Sequence, residues 1–216
     1  MSTPQLHIPE RADRESLGAF VARAVRLESG ALIRLRRRAD AAGDVVEAWV
    51  STPFEVLVTR AVAGTISPAD VTVSASELLA ALTVAGGQRM DPGPARDVYW
   101  HSELPAGDGW RGVENLPAQV VADLAERGVE LARENVGPLG TPPASLMDQT
   151  VLTINDDDAE IKVPMRCLFA MSGMGFLGQE VGDDAVRVRA TESWLRLDAR
   201  YGAVVRRRKA LLPLLF

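Results

Sequence analysis

The sequence predicts an α+β fold: antiparallel sheets built from two similar helix-plus-three-strand meanders, with about four helices packed on one side or at the ends. Three observations point there. First, Ile33-Arg34-Leu35-Arg36 followed by Glu47-Ala48-Trp49-Val50 resembles Val186-Arg187-Val188-Arg189 followed by Glu192-Ser193-Trp194-Leu195. The apolar–basic alternation has the period of two expected of a strand with one buried face. Second, each copy continues into a third strand-like run, 54–62 and 203–208, and each follows a helix-like apolar segment. Third, strands and helices do not alternate regularly, which disfavours a doubly wound parallel sheet.

The elements follow in order. Residues 1–9 contain Pro4 and Pro9 and read as a loose arm. From 10 to 28, Leu17, Phe20, Val21, Ala24, Val25 and Leu27 recur at helical spacing, and Gly30 is placed to end the helix. Strands are expected over 31–37, 45–51 and 54–63, with a turn at 40–44 that contains Gly43. Residues 67–70 form a turn, 71–73 a short strand, and Ser74 or Ser76 caps a helix running to 85. The stretch 86–117 is irregular and rich in proline and glycine, with only 96–102 strand-like.

A helix over 117–135 carries the apolar stripe of Val120, Val121, Leu124, Val129 and Leu131, with Pro117 in its first turn. A hairpin of 149–154 and 159–163 turns through the acidic residues 155–158. The segment 164–177 reads as a helix because Pro164 suits a first turn. The second meander and an apolar tail, 210–216, complete the chain. The whole is one structural unit, 1–216, with pseudo-duplicated halves 10–85 and 117–210 joined by the irregular segment 86–116.

Composition sets further bounds. The 216 residues suffice for a sizeable core, and 47% hydrophobic with 25% charged residues is the balance of a globular protein. A net charge of -5 makes nucleic acid an unlikely partner, because phosphate neutralisation needs a basic surface. No apolar run approaches the roughly 20 residues of a membrane span, and no secretory signal is evident, so no membrane is expected and a cytoplasmic location is. The preference for arginine over lysine, with abundant alanine, valine and glycine, is that of a high-GC bacterial genome.

Several motifs invite chemistry. Gly173-Met174-Gly175-Phe176-Leu177-Gly178 matches G-x-G-x-x-G, but the fingerprint needs a strand before it and a helix after it, and an acidic, glycine-broken stretch leading into a strand follows here. No nucleotide is expected at it. Asp156-Asp157-Asp158 and Asp183-Asp184 are acidic turns without calcium-loop spacing. Cys167, the single cysteine, sits among apolar neighbours and reads as an inert core thiol. With only His7 and His101, a histidine-rich metal centre is ruled out in one chain. No catalytic residue, metal or cofactor is assigned.

Two surfaces remain. The candidate ligand pocket comprises Arg96, Tyr99, Trp100, His101, Trp110 and Arg111, a mixture of aromatic walls and orienting polar groups on a long irregular segment. The candidate partner surface comprises Arg206, Arg207 and Arg208 with Leu212, Leu215 and Phe216, whose apolar side chains should pack on the core or on another subunit. The leading expectation is therefore a non-catalytic binding or adaptor protein, a homo-oligomer such as a dimer or one with an unidentified protein partner. The rival is a small-molecule enzyme with its pocket in 96–114, where His101 would act as acid or base. A third is a weak nucleic-acid binder using the C-terminal arginine run, which would have to join Arg34 to Arg38 in one basic stripe.

Overall fold

A computed structural model describes residues 3–40, 43–84, 87–134, 143–156, 159–177 and 184–208. The first half of the chain forms β1 (Gln5–His7), α1 (Arg11–Leu27), β2 (Leu32–Asp40), β3 (Gly43–Ser51), β4 (Leu57–Ala63), β5 (Thr65–Ser67), β6 (Asp70–Ser74), α2 (Ala75–Val84) and β7 (Arg89–Met90). The second forms β8 (Arg111–Pro117), α3 (Ala118–Glu134), α4 (Ala144–Met147), β9 (Thr150–Asp156), β10 (Ala159–Pro164), α5 (Met165–Gly173), β11 (Ala185–Ala190), β12 (Trp194–Ala199) and β13 (Gly202–Arg207). The expected α+β class with antiparallel sheets is the one observed.

One eight-stranded sheet dominates, in the order β6-β2-β3-β4-β13-β12-β11-β8. Each half gives four strands, and the halves meet where β4 pairs antiparallel with β13 through Leu57↔Val205, Val58↔Val204 and Thr59↔Ala203. Two meanders, β2-β3-β4 and β11-β12-β13, therefore lie edge to edge. Strands β5-β1-β7 make a small sheet and β9-β10 a separate hairpin.

The alternation seen in the sequence sorts the two faces of the large sheet. Ile33, Leu35, Val46, Ala48, Val58, Val186, Val188 and Val204 point inward and are buried. They share one core with Leu17, Phe20, Val21 and Ala24 of α1 and with Cys167, Leu168 and Met171 of α5. Phe20 stacks on Phe176 across the halves, ring centroids 6.2 Å apart and planes 3° from parallel. Gly202 is required there: a Cβ would enter the Phe176 ring. The other sheet face carries the arginines.

Four expectations need correction. The arm is not loose over its described residues: β1 pairs with β5 and β7, and Leu6 and Ile8 are fully buried. Residues 96–102 are not a strand; Asp97–Tyr99 is a single 3-10 turn. Its alternation is incidental, because Arg96 and Asp97 are used to close the edge of β6. The Arg96 amide donates to the Thr72 carbonyl at 2.7 Å, and the Asp97 carboxylate accepts from the Thr72 amide at 2.6 Å. Third, 111–117 is strand β8 and not irregular, paired with β11 despite the weak strand formers Gly112, Asn115 and Pro117. Pro117 consequently ends a strand, and α3 begins one residue later.

The fourth expectation is that Trp49 and Trp194, at the centres of the two similar stretches, take corresponding positions in the two meanders. Both lie on middle strands, but Trp49 sits near the end of β3 while Trp194 opens β12. They do not occupy equivalent positions. The predicted turn at 155–158 and the tail at 210–216 fall partly or wholly outside the described residues.

Candidate functional site

On the outer face, cross-strand register places Arg34, Trp49, Thr59 and Ala203 in one row and Ser51, Leu57, Val205 and Arg196 in the next. Trp49, Leu57 and Val205 form a second buried cluster directly over the seam between the halves. Trp100, Leu104, Trp110 and Trp194 pack against it, so all four tryptophans of the chain converge. The segment 97–110 is thus a strap that leaves the first half, crosses the outer face and enters β8.

Aromatic rings and arginines fasten the strap. The Trp100 indole N–H donates to the Ser102 carbonyl at 2.6 Å, and that of Trp110 to the Ala106 carbonyl at 3.3 Å. Guanidinium groups lie over three of the rings: Arg34 over Trp100 at 6.0 Å, Arg196 over Trp110 at 5.9 Å and Arg207 over Trp194 at 5.9 Å. Such placement lets the positive charge meet the negative face of the ring. Arg207 also pairs with Glu103 of the strap.

Beneath residues 105–107 of the strap lies a cavity of about 200 Å³. Its walls are Trp49 and Trp110, and its polar lining is Arg36, Arg37, Arg38, Arg189, Arg196 and Glu47. Ion pairs fix these arginines: Arg36 with Asp70 (3.4 Å), Arg37 with Asp44 (2.7 Å), Arg38 with Glu47 (3.0 Å), and Arg189 (3.3 Å) and Arg196 (2.7 Å) with Asp198. Neighbouring Arg34 makes a two-point contact with Asp70, which raises its pKa and keeps it charged.

The residues of the expected pocket are dispersed by this geometry. Trp100 and Trp110 enter the cluster, and Trp110 walls the cavity. Arg96 turns away to Glu77 at 2.8 Å. Tyr99 and His101 are exposed, and neither lines the cavity under the strap. Arg111 opens β8 opposite Ala190. Of the expected partner surface, Arg206 contacts Asp148 at 3.3 Å, Arg207 is held as described, and Arg208 donates to the Thr191 carbonyl at 2.9 Å. Leu212, Leu215 and Phe216 lie outside the described residues.

The remaining motifs have structural surroundings. Cys167 is fully buried, and loss of solvent pushes its thiol up to about 12 against the opposing pull of Arg206 and Arg166. In the glycine motif helix α5 ends at Gly173, so among the described residues a helix leads into the motif instead of starting after it. Asp184 pairs with Arg200 at 3.1 Å. Among the described residues no cluster of three His, Cys, Asp or Glu side chains could hold a metal ion.

Arg166 had no sequence signal. It is buried in α5, donates to the Phe54 carbonyl at 3.1 Å, and pairs with Glu55 at 2.5 Å and Asp148 at 2.8 Å. Glu55 takes the left-handed backbone (φ 58°) in the turn before β4. The second half thus grips the first at that turn. The arginine-lined cavity was also unforeseen; the signal available was that the two alternating strands both put arginines on the face opposite the core.

The fold is similar to that of sliding clamps. A putative DNA polymerase III β subunit from Eubacterium rectale superposes with a TM-score of 0.59 at 12% identity, covering 94% of this chain and 64% of that one. The Caulobacter crescentus pol III β gives 0.57 at 12%, with the same coverages. A Pseudomonas aeruginosa DNA polymerase sliding clamp gives 0.56 at 10%, covering 96% and 66%. The likeness is one of fold, and the chain spans about 64% of the length of the first of these clamps.

By sequence, residues 1–102 match one family model, a domain of unknown function (DUF8010), and residues 105–211 match another, a domain of unknown function (DUF8185). No curated protein matches the sequence. No described helix is long and apolar enough to cross a membrane.

Proposed function

We propose that this chain is a non-catalytic binding or adaptor protein that acts as a self-associating scaffold, most simply a homodimer. The observation that carries the reading is the clamp-like layout over 94% of the chain, with both halves fused into one sheet. Such a sheet is a rigid platform, and its faces and edges are surfaces for other chains. The halves 10–85 and 117–210 are read as a duplicated unit, supported by the two edge-to-edge meanders.

The enzyme alternative requires His101 to work in an enclosed site, and its exposure beside an arginine-lined cavity that it does not enter gives no support. The similar clamps are subunits of DNA polymerase III, but here the net charge is -5 and the exposed side of α3 mixes Glu126, Glu130 and Glu134 with Arg127 and Arg133. Such a surface favours protein contacts over phosphate neutralisation. Light scattering on the full chain across about 1 to 100 μM tests the self-association, which is concentration-dependent by mass action. The reading expects a mass of two or more chains at the upper end; a monomer throughout contradicts it.

A further inference from the structure

We propose that the cavity under the strap is a binding site for a small polyanion bearing two or more adjacent phosphates. That chemistry is shared by free pyrophosphate or polyphosphate and by the tail of a nucleoside di- or triphosphate. The site goes beyond the scaffold reading and does not depend on it.

The lining is electrostatically lopsided: five guanidinium groups and one carboxylate, Glu47, around about 200 Å³. The other carboxylates that hold these arginines, Asp44, Asp70 and Asp198, do not line it. Arg36, Arg38, Arg189 and Arg196 make their ion pairs through Nε at 3.4, 3.0, 3.3 and 2.7 Å. The closest approach of each carboxylate is thus at the stem side of its guanidinium, and a ligand oxygen would bind at the terminal nitrogens turned away from it. Arginine forks are matched to phosphate oxygens in this way, and each such charge-assisted bond is stronger than a neutral one.

The groups are also held in advance of binding. Arg196 lies over the Trp110 ring and Arg38 on Glu47, so less side-chain freedom is lost when an anion enters. Arg36 and Arg38 come from β2 of the first half, Arg189 and Arg196 from β11 and β12 of the second. The site is therefore assembled from both halves of the chain.

Size and surroundings narrow the ligand. The volume is below the roughly 300–1,000 Å³ of pockets for drug-sized molecules, which suits a compact, densely charged group. Trp49 is 3% exposed and the Trp110 ring is covered by Arg196, so little ring face remains to stack a base. Recognition rests on charge.

Titration calorimetry of the full chain with pyrophosphate, tripolyphosphate and ATP, at about 0.15 M salt to screen loose surface attraction, tests the site. Arg189→Gln removes one lining charge. Gly107→Asp adds a carboxylate to the roof where a Cβ meets nothing within 4 Å, so the fold is spared. Arg11→Gln, on an exposed α1 arginine paired with Glu15, is the control.

One tripolyphosphate should bind per chain, with Kd raised about tenfold in each cavity variant and unchanged in the control. ATP binding as tightly as tripolyphosphate identifies the nucleotide tail as sufficient; ATP failing where tripolyphosphate binds identifies free polyphosphate; both support the site. No saturable heat with any of the three, undiminished affinity in both cavity variants, or an equal loss in Arg11→Gln overturns it.

Discussion

Arg166 shows how much one side chain can hold. Its guanidinium is almost wholly buried, yet it reaches the carbonyl of Phe54, the carboxylate of Glu55 and that of Asp148, all outside its own helix. Removing it takes a partner from each acceptor, but Asp148 keeps Arg206, and Glu55 and Asp148 are exposed enough to be rehydrated. The loss is therefore smaller than for a fully buried pair. Arg166→Ala should lower unfolding stability by about 2 kcal/mol in urea titrations, the scale of a charged hydrogen bond lost in part. A variant as stable as the native chain would mean that the network only decorates the seam. Nothing in the sequence announced this residue. An arginine between Met165 and Cys167 reads as a break in an apolar run, and two of its three partners, Phe54 and Glu55, lie over 100 positions away.

At the scale of elements, the strongly periodic segments were legible and those held by partners were not. Helix α1 and strands β2, β3, β11 and β12 follow from spacing alone, because each buries one face against the core. Strand β1 did not follow. It has three residues, and its order comes from pairing with β5 and β7 and from the pocket that takes Leu6 and Ile8. Polar neighbours and two prolines hid that. Strand β8 was hidden likewise by weak strand formers that β11 stabilises through pairing.

The misread arm yields a sharp test. Deleting residues 1–8 should lower stability by about 4 kcal/mol or more, since two fully buried aliphatic side chains are lost at about 2–5 kcal/mol for each truncation to alanine. Thermal unfolding monitored by circular dichroism reads it. An unchanged midpoint would restore the loose arm.

Across the whole molecule, two halves that match separate family models share one eight-stranded sheet. The inner face is sealed by the common core and the Phe20–Phe176 stack, the outer by Trp49, Leu57 and Val205 under the strap. The class of fold was readable from the repeated alternation, and so was the presence of two meanders. Their junction was not, because pairing of β4 with β13 joins residues about 145 positions apart and no local pattern encodes it. The candidate cavity escaped for the same reason: its arginines come from β2, β11 and β12, and only the closed sheet brings them under residues 105–107. The tryptophans were noticed singly or in pairs, as strand centres or pocket walls, whereas the fold uses all four to cover that junction.

The seam is thus the feature on which the account rests, and amide hydrogen exchange on the intact protein probes it directly. Exchange of ladder amides requires opening of the pairing, so central strands are slow and frayed edges fast. If β4 and β13 are joined as described, ladder amides within Leu57–Ala63 and Gly202–Arg207 that face the seam should exchange as slowly as those of the interior strands β3 and β12. Amides at the seam exchanging as fast as those of an open sheet edge, while β3 and β12 stay protected, would show two separate four-stranded sheets and contradict the account.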